Sequence, residues 1–116
     1  MPPRGWQVRV EDMLEALDRI DQRVRGLDFE RFEGDPRVVE AVAFNLLVLG
    51  EAAAQLPDEV RQSHPELPWS QLRGLRNVIA HEYFDLDVQT LWNTVRNNLP
   101  PLVTALRKML DSGGGR

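Results

Sequence analysis

From Val38 to Leu56 apolar side chains crowd one helical stretch so densely that it cannot lie on a surface. Val38, Ala41, Val42, Leu46, Leu49, Ala53 and Leu56 form one stripe, and Phe44, Leu47 and Val48 widen it almost all the way round. A helix this apolar is buried on more than one side. It is expected either at the centre of a bundle or facing both the core and a second subunit. Asp35-Pro36 opens it: the carboxylate can accept from free backbone N–H groups, and proline fits the first helical position, where its missing donor costs nothing.

The rest of the chain supplies partners for that helix. Val10, Met13, Leu14, Leu17, Ile20 and Val24 recur at steps of three and four among acids and arginines, giving an amphipathic first helix that Gly26 stops. Leu27 to Gly34 reads as a connector whose Phe29 and Phe32 fold back onto the core. Pro57, Pro65 and Pro68 make the next connector irregular, with a short helical turn at Glu59 to Gln62. Trp69, Leu72, Leu75 and Ile79 mark a third helix, and Val88 to Leu110 a fourth, which Pro100-Pro101 should kink or break. Asp85 and Asp87 are available to cap it. No strand alternation appears, so the expected class is all-α, a bundle of about four or five helices. It would occupy residues 1–111, with 112–116 as a flexible C-terminal tail.

At 116 residues the chain fits one domain. It has no cysteine, so disulfides and thiolate chemistry are absent and a cytoplasmic location is expected. Apolar stretches are broken by charge well short of the roughly 18 to 20 residues a membrane span needs. A net charge of −4 argues against nonspecific coating of nucleic acid, which relies on cationic side chains, but leaves room for a local phosphate site.

That site is readable between Arg76 and Tyr83, in the order Arg-Asn-Val-Ile-Ala-His-Glu-Tyr. Arginine offers a permanent planar cation suited to phosphate, and histidine a proton donor or acceptor near neutral pH. On a regular helix Arg76 and His81 would lie about 140° apart, so they cannot face one ligand from an unbroken helix. Either the helix ends near His81 and the chain turns back, or two subunits bring their clusters together. The second solution also meets a chemical need. Cleaving RNA without metal takes a base for the 2′-hydroxyl, an acid for the leaving 5′-oxygen and a cation for the phosphate, and a symmetric dimer would supply His81 and Arg76 twice. Each residue also has a plainer role available: His81 can complement a helix C-terminus, Arg76 can pair with an acid, and Tyr83 can be a buried aromatic.

Arg76, four residues, His81, one residue, Tyr83 resembles the R-x4-H-x-Y motif of the HepT toxins in the HEPN superfamily. Gly50-Glu51-Ala52-Ala53, Pro68-Trp69, the segment from Arg76 to Phe84, and Leu91-Trp92 are similar to that family in the same order. The resemblance implies an all-α homodimer that acts as a metal-independent endoribonuclease with no cofactor, at a site formed across the dimer. Arg76 and His81 would be catalytic, with Asn77 orienting substrate or His81. It implies the toxin half of a toxin-antitoxin pair, neutralised by a minimal nucleotidyltransferase (MNT) antitoxin that transfers AMP to Tyr83. The alternative is a noncatalytic, nucleotide-binding or interaction partner of such a nucleotidyltransferase.

Other polar residues need partners rather than roles. Glu51 within so apolar a helix calls for Arg76 or Arg73, as an ion pair or as support for the site, and Asn45 for a buried hydrogen bond. Gly50 should permit close helix packing. His64 has nothing nearby to complete a site. His81, Glu82, Asp85 and Asp87 lack metal-binding helical spacing, so no metal is expected.

Overall fold

The structure, a computed structural model, describes residues 5–81 and 85–114. These form helices α1 (Trp6–Val24), α2 (Phe29–Glu33), α3 (Pro36–Ala54), α4 (Asp58–Gln62), α5 (Trp69–His81), α6 (Val88–Asn93) and α7 (Leu99–Gly114), with a π-helical turn, Thr94–Asn98, between the last two. There is no strand among the described residues, as the all-α expectation required.

Helix α3 is the central element, packed along α1 on one side and α5 on the other. Its start is built as read from the sequence: the Asp35 carboxylate accepts the Arg37 N–H at 3.1 Å, and Pro36 takes the first helical position. Such a cap is worth about 1 kcal/mol. Its inward stripe of Val42, Leu46, Leu49 and Ala53 meets Met13, Leu17 and Ile20 of α1 and Leu72 and Ile79 of α5 in one apolar core, closed from the far side by Leu106 and Met109 of α7. Asn45 is the one polar side chain in this interior among the described residues, 6% exposed. Its Nδ2 donates to the Ala41 carbonyl at 2.9 Å, while Oδ1 is buried without a partner.

The connectors carry more structure than their composition suggests. Gly26 follows α1 with φ +80°, a left-handed conformation that disfavours side chains. Phe29 and Phe32 fold back as expected, but from within α2, whose Asp28 cap accepts from Arg31 at 2.9 Å. Phe32 is fully buried and meets Trp92 at 5.0 Å between ring centroids, and the Arg96 guanidinium lies over the Trp92 ring, 5.5 Å from its centroid. The proline-rich connector is pinned to α5 by Trp69, whose indole N–H donates to the His64 carbonyl at 2.8 Å.

Pro100-Pro101 do not terminate the last helix. In an α-helix their missing donors would face the carbonyls of Arg96 and Asn97, and their rings would crowd that turn. The π turn widens the helix just there, so that the Leu99 N–H reaches back five residues to the Thr94 carbonyl. The expected kink or break is thus a widened turn. Asp87 caps α6, accepting from Gln89 at 3.1 Å and from the Thr90 hydroxyl at 2.8 Å. Helix α7 runs through Gly114, into the segment expected to be a tail. No helix among the described residues is long and apolar enough to cross a membrane.

Candidate active site

Helix α5 carries the candidate residues, and α3 fixes how they sit. At Gly50 the two helices pack closely. A Cβ at that position would lie 2.8 Å from the Leu72 carbonyl oxygen and 3.0 Å from the Arg76 backbone nitrogen. The absence of a side chain lets α5 settle directly on α3, and it sets the position of Arg76 next door.

One residue further along α3, Glu51 faces out. Its Oε1 accepts from Arg76 Nη1 at 2.9 Å, and its Oε2 accepts from Gln55 Nε2 at 3.0 Å. Of the two arginines that could partner Glu51, the structure selects Arg76. The pair is about half exposed, so it contributes positioning more than stability. Since Arg76 and Gln55 both donate to it, in that order of effect, the Glu51 carboxyl is held below its ordinary range and stays ionised at neutral pH. Gln55 is a supporting residue that sequence reasoning misses, although its i,i+4 spacing from Glu51 is visible there.

Because that carboxyl is depressed in the folded protein, its stabilising contribution is present above the ordinary carboxylate range and is lost as pH falls through the lower folded value. Glu51→Gln should therefore lower the melting temperature slightly near neutral pH, and the difference from the parent should shrink steadily as pH drops below about 4. Melting curves across pH check this. A difference that grew on acidification would contradict the pairing.

Arg76 borders a groove of about 480 Å³ between α1 and α3, lined also by Arg9, Arg19, Leu47, Val48 and Glu51. His81 is not among its lining residues. It is exposed at the last described position of α5, with Asn77 one turn before it, also exposed. Within the chain the helix thus keeps Arg76 and His81 on different sides, as the spacing required. Tyr83, with 82–84 as a whole, lies outside the described residues. His64 stays apart, its Nδ1 3.5 Å from Glu66. Among the described residues no group of three or more His, Asp or Glu is placed to hold a metal ion.

An exposed guanidinium anchored by a carboxylate can bind a phosphate, and an exposed imidazole further along the same helix can move a proton, though not at the same ligand within one chain. Comparison with known proteins points the same way. The family model described as Ribonuclease HepT-like matches residues 13–109. A protein of Thermococcus cleftensis named Probable ribonuclease HepT is 35% identical over 106 residues, which cover 91% of this chain and 96% of that one. A protein of Caldanaerobacter subterraneus subsp. tengcongensis with a provisional RNase name is 33% identical over 102 residues, 88% of this chain and 91% of its own. Another, from Methanocaldococcus jannaschii and named in the same way, is 29% identical over 116 residues, 100% of this chain and 96% of its own. No solved structure matches the chain significantly. With a family model spanning residues 13–109 and relatives at 35% and 33% identity aligned over nearly the whole length, the chain belongs to the HepT-like ribonuclease family.

Proposed function

We propose that this chain is a metal-independent endoribonuclease that works as a homodimer in the cytoplasm, as the toxin of a toxin-antitoxin pair. The observation that carries the reading is Arg76, exposed, held by Glu51 at 2.9 Å and on the same helix as an exposed His81. Arg76 binds the scissile phosphate and offsets the charge that grows on it. One His81 takes the proton of the 2′-hydroxyl as that oxygen attacks phosphorus. The other, from the second subunit, gives a proton to the departing 5′-oxygen, leaving a 2′,3′-cyclic phosphate and a 5′-hydroxyl. Asn77 orients His81 or the substrate.

Two features favour the dimer. One subunit has a single histidine in the cluster, and large apolar side chains stand exposed beside it: Phe44, 61% exposed, lies on the strip of α3 that carries Glu51, and Val78, 46% exposed, is on α5. A second copy covering this face would remove that surface from water. The family resemblance adds the antitoxin, an MNT-type nucleotidyltransferase that transfers AMP to Tyr83. An anionic adduct there would repel RNA phosphates.

The test is cleavage of single-stranded RNA by the purified chain in excess chelator. Fragments should end in cyclic phosphate and 5′-hydroxyl, a 2′-deoxy substrate should resist, and the partner with ATP should add AMP to the parent but not to Tyr83→Phe. Cleavage that stops with chelator sinks the metal-free reading. No cleavage together with AMP transfer would favour the noncatalytic partner, a reading that the net charge of −4 also suits.

A further inference from the structure

We infer that Arg73 is a second RNA-phosphate contact, which extends the site along α5 towards its N-terminus; this rests on the ribonuclease reading above. Between Glu66 and Glu82 the chain contains no acidic residue, so α5 carries Arg73 and Arg76 with no carboxylate of its own. Several other arginines on or beside helices are supplied with one, though Arg23 and Arg107 are not among the described residues. Arg9 pairs with Asp12, Arg19 with Glu15, Arg25 with Asp21 and Arg61 with Asp58, each three or four residues away. At those spacings Arg73 meets Trp69, Ser70, Arg76 and Asn77 instead. The nearest acid across the helix packing, Glu51, is already shared by Arg76 and Gln55. Arg73 is exposed and has no hydrogen-bond or ion-pair partner among the described residues.

Its position completes the pattern. On the α5 wheel Arg73 lies about 40° from Asn77, about 60° from Arg76 and about 80° from His81, so it sits between the two sides that Arg76 and His81 occupy. Ser70, Arg73, Asn77 and His81 follow one another on a single exposed ridge. Along the axis Arg73 is about 4.5 Å from Arg76 and about 12 Å from His81. Two arginines one turn apart repel, a cost that the Glu51 carboxylate on Arg76 relieves only in part. A polyanion laid along the ridge removes it. An RNA strand with one phosphate at Arg76 presents the neighbouring phosphate to Arg73, and guanidinium suits that oxygen geometry.

The probe is a single-stranded RNA methylated at every 2′-oxygen, which binds but lacks the attacking hydroxyl. Its affinity is measured against salt for the parent, Arg73→Gln, and Arg107→Gln, the last an exposed arginine of α7 that controls for net charge. Arg73→Gln should bind about tenfold more weakly at low salt, and the slope of log affinity against log salt should flatten by about 0.7, the share of one neutralised phosphate on a single strand. On cleavable RNA the loss should fall mainly on KM, and the melting temperature should hold. Arg107→Gln should bind as the parent does. Equal binding by Arg73→Gln and the parent, or equal weakening by the two variants, overturns the inference while leaving metal-free cleavage intact. A parent that neither binds nor cleaves RNA overturns the ribonuclease reading, and this inference with it.

Discussion

His81→Ala should lower RNA cleavage by about 10² to 10⁴-fold, the usual range for losing a general acid or base. Arg76→Ala should cost about 10² to 10³-fold, as expected for losing one group that stabilises developing charge. Both side chains are exposed, so neither variant should lose its helical signal or its cooperative melt. Arg76→Ala carries a second signature: without its main donor, the Glu51 carboxyl returns towards its ordinary range. The more informative experiment isolates a mixed dimer of one parent chain and one His81→Ala chain. If one cleft uses both copies of His81, as base and as acid, the mixed dimer lacks one of them and should be about as inactive as the His81→Ala dimer. A mixed dimer with about half of the parental activity would place the chemistry inside one subunit, against the roughly 140° that separates the two residues on α5. Full activity in both single variants would remove the site altogether.

Much of this can be read from the sequence, for local reasons. The apolar stripe of α3, the Asp35-Pro36 start, the fold-back of Phe29 and Phe32, and the turn at α4 all depend on side chains within one or two turns of each other. Pro100-Pro101 read as a kink or break because the remedy, one extra residue in the turn before them, leaves no mark in composition. The site divides along the same line. That Arg76, Asn77 and His81 share α5 follows from spacing, whereas the choice of Arg76 over Arg73 as partner of Glu51 depends on how α5 settles across α3. That choice also leaves Arg73 unpaired, which no pattern of residue types could show. The groove flanked by Arg9 and Arg19 joins α1 to α3, and such neighbourhoods are fixed only once helices pack.

Two glycine replacements, one on each helix of that packed pair, should shift stability in opposite directions. Within a helix, Gly to Ala ordinarily gains about 0.5 to 1 kcal/mol through lost freedom of the unfolded chain. Gly74 on α5 has nothing within 4 Å of the added Cβ, so Gly74→Ala should show that gain. At Gly50 the same methyl meets backbone on α5, with Leu72 O at 2.8 Å and Arg76 N at 3.0 Å, and also the Leu75 side chain, with Cβ at 3.3 Å. Backbone atoms cannot swing aside as a side chain would, so the helices must part. Overpacking of this kind costs about 1 to 3 kcal/mol, which outweighs the helix gain. Gly50→Ala should therefore melt lower than the parent and Gly74→Ala higher, under the same buffer conditions. The displacement also bears on function, since it moves the backbone of Arg76 away from Glu51. Cleavage by Gly50→Ala should fall even at temperatures where the variant remains folded. A Gly50→Ala protein as stable and as active as the parent would mean that α5 does not rest on α3 at this glycine, and that the anchoring of Arg76 has another origin.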